Sequence, residues 1–422
     1  MCINNKLLLM RKRYLFSLIL LVYTNHLYAK EPSELGFLYK QVIDAPKNKS
    51  YNDAISRVIE VKDKYKGDQQ SQFAVNQPLA TLYSYVGQYE KAISSPTDAP
   101  IISEDVIDNL SPISAVDKIQ TMSKETQIVM INEAHHIALH RTLTVSLLQK
   151  LWSSGYRYLA IEALSKRDVD INIRGYAIER SGAYSNEPIY AEMIRTAKKL
   201  GYQIIAYDDS GSEREKKAAE NIFNATFSIN KNAKVIIHCG YSHILEKNIK
   251  DKRIWLANEL ANLTGVNPLT ISQTNLMESK ATEFENPIYN KILNKFNPKE
   301  PIVLTDDFGA VWSTMPGQHD VDVIWPRTTY TNTRPDWYIK NYELISFEGR
   351  WCRNKYPCII EIRRENELNA VPFDRLRIEV EPNKKIALRL PSHKAVIFGF
   401  NENGEQAFKE KTNLSNVSGD LK

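Results

Sequence analysis

The amino-acid sequence predicts an α/β protein in which a mainly parallel β-sheet is flanked by helices. Two observations carry this prediction. Short apolar runs without polar alternation recur between residues 111 and 310, and segments of helical periodicity separate them. Strands that are buried on both faces of a parallel sheet have this continuous apolar character. The flanking parts of the chain predict a helical segment before this core and a small β region after it.

The core elements alternate in order along the chain. The predicted strands lie at residues 128–131, 158–164, 203–207, 234–239 and 269–273. The predicted helices between them lie at residues 141–153, 191–200, 213–227 and 255–263. In the first of these helices, leucines recur on one face, and Gly201 marks the end of the second.

The two flanks differ from the core and from each other. Residues 30–110 have helical periodicity that is clearest at 78–93. This stretch is similar to one tetratricopeptide-type hairpin, but no second copy follows, so we favour a helical cap on the core. Residues 311–422 alternate at 320–325, 376–380 and 386–390, which predicts small antiparallel strands. The loop at 326–337 is rich in Arg and aromatic residues, typical of surface packing or of a substrate site.

Residues 1–29 have the pattern of a secretory signal peptide: a basic patch, a short apolar run and Ala29 at the cleavage point. An uncleaved membrane anchor is the alternative. Cleavage would lower the net charge from +5 to about +1, because the segment holds four basic and no acidic residues. The cleaved chain would then have no surplus of basic residues that could indicate nucleic-acid binding. The sequence therefore predicts a periplasmic or secreted protein without a stable membrane anchor.

Cysteine usage agrees with export. Cys352 and Cys358 bracket a short polar loop, and in an oxidising compartment this spacing favours a local disulfide. Cys239 lies in an apolar run and is predicted to be a buried free thiol.

Acidic and imidazole side chains follow the predicted strands. Because the carboxyl ends of parallel strands meet at one edge of a sheet, we expect a ligand site there. The first strand is followed by Glu133, His135 and His136, the second ends at Glu162, the third at Asp208, and the fourth precedes Tyr241 and His243. His238, within the fourth strand, is interpreted as a satisfied core histidine.

These residues resemble the pattern of a superfamily that groups erythromycin esterase-type hydrolases, ChaN-like haem-binding lipoproteins and Tiki/TraB proteins. The pattern is Glu-x-x-His after the first core strand, an Arg, a Glu ending the next strand, and a later Gly-x-x-His. It matches Glu133 with His136, Arg141, Glu162, and Gly240 with His243, within residues 125–275. The resemblance implies an α/β core with a hydrolytic or haem-binding site.

Three functions fit these side chains. In the first, His136 with Glu133 activates water for ester hydrolysis, while His243 or Arg141 stabilises the developing charge. In the second, Glu133, His136, Glu162 and His243 hold a divalent metal that acidifies water. The third is haem or metal binding without turnover. His135, Asp208 and Tyr241 are secondary candidates, and each function implies a small-molecule substrate or ligand.

For two of these residues the sequence also permits a role outside a functional site. Glu133 could act as a helix cap, since a carboxylate near a helix N-terminus is favourable without catalysis. Arg141 could be an anion clamp or the first residue of a surface helix. The sequence does not predict an oligomeric state.

Overall fold

The computed structural model describes residues 34–94, 96–97, 107–247, 253–340, 342–391 and 394–412. The predicted signal peptide lies outside these residues. Within them, no helix is both long and apolar enough to cross a membrane.

The described chain opens with helices, as the periodicity predicts. They are α1 (Glu34–Asn48), α2 (Tyr51–Lys64), α3 (Gln69–Tyr85) and the short α4 (Tyr89–Ala92). Gly87 separates the last two with a φ of +70°. A Cβ at this position would also overlap the backbone carbonyl of Arg375, so the turn requires glycine.

The core contains a six-stranded parallel sheet flanked by helices, which confirms the predicted fold class. The strands are β2 (Ile128–Glu133), β3 (Tyr158–Ile161), β4 (Gln203–Ala206), β5 (Val235–Gly240), β6 (Leu269–Ser272) and β8 (Val321–Asp322). Their order in the sheet is β4-β3-β5-β2-β6-β8. Every pairing among them is parallel.

Helices cover both faces of this sheet. They are α5 (Ala115–Met122), α6 (Leu139–Ser153), α7 (Ile171–Arg174), α8 (Pro188–Leu200), α9 (Arg214–Ala225) and α10 (Leu256–Thr264). A further helix, α11 (Pro287–Phe296), packs in a separate apolar cluster with Ile302 and Leu304. Alternate residues of β2 enter different clusters: Val129 packs with leucines of α6, and Met130 packs with Ile222 of α9. Because both faces are covered, β2 carries no polar alternation.

The remaining strands are antiparallel. They are β1 (Ser111–Ser114), β7 (Ile302–Thr305), β9 (Tyr330–Thr331), β10 (Arg334–Pro335), β11 (Glu343–Ser346), β12 (Cys358–Arg364), β13 (Asp374–Ile378), β14 (Ala387–Leu390), β15 (Ala395–Phe400) and β16 (Gln406–Thr412). The largest of their sheets has the order β13-β12-β15-β16. The short helix α12 (Asp336–Ile339) follows β10.

The structure differs from the sequence prediction at residues 320–325. This alternating stretch was expected in the antiparallel region, but Val321 and Asp322 pair in parallel with β6 and form an edge of the core sheet. Val321 and Val323 are buried with Leu269 and Ile271. The alternation correctly indicated a strand; which sheet it joins depends on this packing.

The N-terminal helices pack on the C-terminal sheet. Leu38, Val58 and Leu82 share one apolar cluster with Val396 and Phe398. The helices therefore cover the antiparallel sheet, whereas the sequence suggested a cap on the α/β core.

The two sulfur atoms of Cys352 and Cys358 are bonded, with 5.8 Å between their Cα atoms. Cys239 is a buried free cysteine.

Candidate active site at the carboxyl edge of the sheet

The carboxylate of Glu133, the last residue of β2, is held by three side chains. Arg141 donates from Nε to Oε2 at 2.7 Å and from Nη2 to Oε1 at 2.9 Å. His238 places Nε2 at 2.9 Å from Oε2, and Arg141 also donates to Glu187 at 2.9 Å. Burial would raise the pKa of Glu133, but Arg141 and His238 outweigh it and hold that pKa well below its usual range.

His135 is the third partner of this carboxylate. Its Nδ1 lies 3.1 Å from Oε1 of Glu133. The ring stacks on Tyr184 at 4.0 Å between centroids and meets Tyr241 edge-on at 5.2 Å. If Nδ1 donates its proton to Glu133, the lone pair of the imidazole is on Nε2. Among the described residues Nε2 has no hydrogen-bond partner, and the side chain is 16% exposed.

Glu162, just after β3, is the centre of a second cluster. Arg214 donates to its Oε1 at 2.7 Å, and His243 Nε2 lies 3.3 Å from the same oxygen. Arg214 also donates from Nε to Asp208 at 2.9 Å. His243 places Nδ1 at 2.7 Å from Glu215. Burial would raise the pKa of Glu162, but His243 and Arg214 outweigh burial and hold that pKa well below its usual range.

His243 lies in a turn of 3-10 helix, Tyr241–Ile244, directly after β5. Burial disfavours its charge, but Glu215 and Glu162 outweigh both burial and the nearby Arg214, and they raise its pKa to about 9. The two carboxylates favour the imidazolium form, whereas Nη1 of Arg214, 2.9 Å from Nε2, can only donate and favours a lone pair on that nitrogen.

Gly240 joins the two clusters. Its backbone N–H donates to Oε2 of Glu162, and a Cβ at this position would overlap the His135 ring. Its φ of −92° suits any residue. Glycine is required here because the imidazole occupies the space of a side chain.

His136 lies apart from both clusters. It lines a cleft with His140, Glu278, aromatic residues and aliphatic residues, and we call this the aromatic cleft. Burial, the first cause in each case, lowers the pKa of His136 and of His140 to about 3, so both rings are neutral.

The predicted residues thus separate into three places. Glu133, Arg141 and His135 form one cluster, with the ring of Tyr241 against His135. Glu162, His243 and Asp208 form the second cluster beside Gly240, and His136 lines the cleft. The expected contact between Glu133 and His136 is made instead by His135. Arg141 is fully buried rather than on a surface helix.

The expected metal set does not assemble. Across the described ranges, no three His, Cys, Asp or Glu side chains are grouped to hold a metal ion. Both oxygens of Glu133 already accept from Arg141, and both oxygens of Glu162 are engaged.

Sequence reasoning missed several partners. Arg214 and Glu215 begin α9 just beyond the end of β4, so the rule that selected Asp208 could have found them. Glu187 caps α8 by accepting a hydrogen bond from the N–H of Tyr190. An acidic residue directly before Pro188 is a sequence signal for such a cap. No sequence signal indicated that Tyr184 stacks on His135.

A buried Ser–His–Asp group elsewhere lacks the geometry of a catalytic triad. Ser313 Oγ and Asp322 Oδ2 both contact Nε2 of His319, at 3.0 and 2.9 Å. In a triad the carboxylate and the nucleophile contact opposite ring nitrogens. Nδ1 of His319 is buried without a partner in the described chain.

Comparisons with known proteins add little. No protein-family model matches the chain, and no curated protein matches it. Among solved structures, the type III effector HopBA1 aligns with 16% sequence identity and a TM-score of 0.28, over 42% of this chain and 94% of that chain. Such a low score supports no argument about function, which rests on the geometry above.

Proposed function

We propose that this protein is an exported hydrolase in which His135, oriented by Glu133, activates water to attack a small-molecule ester. The observation that carries the proposal is the contact between Glu133 and Nδ1 of His135. A carboxylate in this position fixes the tautomer of the ring and stabilises the imidazolium that forms. Arg141 and His238 hold the carboxylate so that it cannot turn away from His135.

In this mechanism, Nε2 of His135 accepts a proton from water as the oxygen attacks the ester carbonyl. The imidazolium then returns that proton to the departing alkoxide. Arg141 cannot contact the substrate, because its side chain is fully buried and donates to Glu133, Glu187 and the backbone carbonyl of His135. The same holds for His243, the other predicted charge stabiliser, because it is buried with Nδ1 against Glu215 and Nε2 against Arg214 and Glu162. Any effect of these two residues on the developing charge therefore acts through space.

The proposal places the protein in the periplasm or outside the cell. The pattern of residues 1–29 and the Cys352–Cys358 bond support this location, since disulfides persist mainly in oxidising compartments.

Two variants of adjacent histidines test the proposal. With aryl and alkyl acetates as substrates, we expect His135→Ala to lower kcat/KM by about 10²- to 10⁴-fold, the range of general base catalysis. We expect a loss at least tenfold smaller in His136→Ala. Thermal unfolding of both variants provides the control for folding. A larger loss in His136→Ala would identify His136 as the general base, as the sequence indicated. Absence of ester turnover by the wild type would contradict the proposal.

The alternatives fit the structure less well. A metal would have to displace Arg141 from Glu133, a buried ion pair, or Arg214 from Glu162, a largely buried one. Haem would have to use the aromatic cleft, where His136 could serve as an axial ligand. No Lys or Arg is among the described residues that line this cleft, so the haem propionates would lack a cation. Metal analysis and a visible absorption spectrum of the purified protein test both alternatives.

A further inference from the structure

A second hollow of the molecule lies in the N-terminal helical region, away from the edge of the parallel sheet. It is bounded by the end of α2, the first turns of α3, the residues Ser94 and Pro96, and Phe284 from the segment before α11, and we call it the helical groove. Its cavity volume is about 480 Å³, and it is largely open to solvent. Pockets of this volume hold small organic ligands.

Asn76 is a buried polar residue of this groove that has an unused acceptor. Its side chain is 3% exposed, and its Nδ2 donates to the carbonyl of Pro96 at 2.8 Å. Its Oδ1 is buried without a hydrogen-bond partner in the described chain. A buried acceptor in this state is costly, so a ligand that donates a hydrogen bond to Oδ1 would be favoured.

Two further amides line the groove beside Asn76. They belong to Gln69 and Gln72, and Nε2 of Gln72 donates to the carbonyl of Tyr65 at 3.0 Å. An amide side chain carries both donors and an acceptor, and a hydroxyl group likewise donates and accepts. The neutral polar part of the lining therefore matches a ligand with several hydroxyl groups.

Two phenyl rings supply the apolar surface of the groove. Phe73 and Phe284 are partly exposed and meet edge-to-face, with 5.5 Å between their centroids. Aromatic rings contribute large apolar contact areas. A sugar ring carries hydroxyl groups around its edge and C–H groups on its faces, so it can use the amides and the phenyl rings together. An open-chain polyol offers no such face, and a flat aromatic ligand lacks the hydroxyl groups.

The charged side chains in the described lining are both cationic. They are Lys62 and Lys66, and no described Asp or Glu lines the groove. Lys66 contacts Asp63 at 3.1 Å, but both side chains of this pair are exposed, and such pairs contribute little. Burial lowers the pKa of Lys62 although Asp63 opposes it, and a bound anion would act in the same direction as Asp63. The charge of the lining therefore favours an acidic ligand.

We propose that the helical groove binds an acidic oligosaccharide built from uronic acids. Hydroxyl groups would contact Asn76 and the two glutamines, and one sugar face would pack on the phenyl rings. A uronate carboxylate would lie near Lys62 and Lys66. This binding site is separate from the proposed hydrolytic one, because His135 does not line the groove.

Calorimetric titration with trigalacturonate, α-1,4-galactotriose and tricarballylate tests the proposal. The first compound has sugar rings and carboxylates, the second has the same rings without charge, and the third has carboxylates without rings. We expect trigalacturonate to bind at least tenfold more tightly than either of the other two, about 1.4 kcal/mol or more. No binding of trigalacturonate, or equal binding of galactotriose or tricarballylate, would overturn the proposal.

Variants of two lysines locate the binding. Lys66→Gln should weaken trigalacturonate binding about tenfold, the effect of losing one charge-assisted contact. Lys64→Gln is the matched control, because this exposed lysine pairs with Glu34 and does not line the groove. It should leave binding unchanged. Equal losses in the two variants would show that the sugar is attracted by general surface charge and would overturn the assignment to the groove.

Two further variants test the apolar surface and the separation from the hydrolytic site. Phe284→Leu keeps an apolar side chain but removes the ring, and it should weaken trigalacturonate binding several-fold, with thermal unfolding as the control for folding. Wild-type affinity in a folded Phe284→Leu would contradict packing of the sugar on this ring. His135→Ala should bind trigalacturonate as the wild type does, whether or not it retains ester turnover. Loss of binding in that variant would contradict a separate site.

Discussion

The histidines at the sheet edge differ in pKa because only some of them contact carboxylates. His243 lies between Glu162 and Glu215, and these raise its pKa to about 9 despite burial. Within the described ranges His136 has no carboxylate in hydrogen-bond contact, and burial lowers its pKa to about 3. One residue type therefore has a raised pKa at one position and a lowered pKa at another within the same edge of the fold.

At Gly240, a single added methyl group tests whether the position of His135 matters. We expect Gly240→Ala to lower ester turnover about 10²-fold, because the new Cβ would displace the ring from the position where Glu133 orients it. The free energy of unfolding should fall by about 1–3 kcal/mol, which is the usual cost of overpacking. Cys239→Ala, which removes atoms from the adjacent position, should keep wild-type turnover. Full activity in Gly240→Ala would show that the ring position is not critical.

Arg141 supports the site by neutralising two buried carboxylates, Glu133 and Glu187. We expect Arg141→Leu to destabilise the fold by about 3–5 kcal/mol, since both carboxylates lose a charged partner. Lys150→Leu, which removes an exposed pair with Asp117, should cost under about 1 kcal/mol. Urea unfolding measures both variants, and equal effects would mean that the Arg141 pairs contribute no more than surface ones.

At the scale of elements, the strand order places the clusters side by side. β5 lies between β2 and β3, so Glu133 pairs in register with Gly240, and the N–H of Glu162 donates to the carbonyl of His238 at 3.0 Å. Neighbouring strands in a parallel sheet end at the same edge, which explains why residues about a hundred positions apart in sequence share one site.

The Cys352–Cys358 bond closes a short loop before β12. Replacing both cysteines by Ser should lower the free energy of unfolding by about 2–3 kcal/mol, because the bond restricts a small loop in the unfolded chain. Urea unfolding with and without reductant measures this cost. The reductant should have no effect on the double variant. Free thiols at both positions in the folded, oxidised wild type would contradict the pairing.

At the scale of the whole molecule, the flanks contribute to the site. The hydroxyl of Tyr89, in α4, donates to Glu187 at 2.7 Å, and Glu187 accepts from Arg141. The N-terminal helices are also fixed to the C-terminal sheet by their shared apolar cluster. The region that the sequence suggested was only a cap therefore reaches the partners of Glu133.

The histidines together predict that stability is greatest near pH 6.5. Because the pKa of His243 is raised above its ordinary value of 6.5, the folded state binds this proton more tightly than the unfolded state does. Its stabilisation is complete below that pH and is lost as the pH rises through about 9, a change of about 3 kcal/mol. The lowered pKa values of His136 and His140 act in the opposite direction, so their contribution is lost as the pH falls from 6.5 towards 3.

Unfolding midpoints in urea at pH 4, 6.5 and 9.5 measure this dependence. His243→Gln should remove most of the decrease between pH 6.5 and 9.5 and leave the acid side unchanged. An unaltered alkaline slope in that variant would show that His243 is not the group responsible.

The sequence by itself determined the order and type of the core elements. Continuous apolar runs identified β2 to β6, helical periodicity identified the helices between them, and the strand-end rule selected Glu133, Glu162, Asp208 and His243. These features are local, because burial on both faces of a sheet dictates residue type along each strand.

Tertiary structure decided which neighbours meet. His135 and His136 are adjacent and nearly equivalent in sequence, but their side chains diverge: one contacts Glu133 beside Gly240, and the other enters the aromatic cleft. That choice depends on Arg141, His238 and Tyr184, which come from other elements. The edge position of Val321 likewise depends on the packing around Leu269 and Ile271. Periodicity along the chain does not encode such partners, because they are set by packing between elements that are distant in sequence.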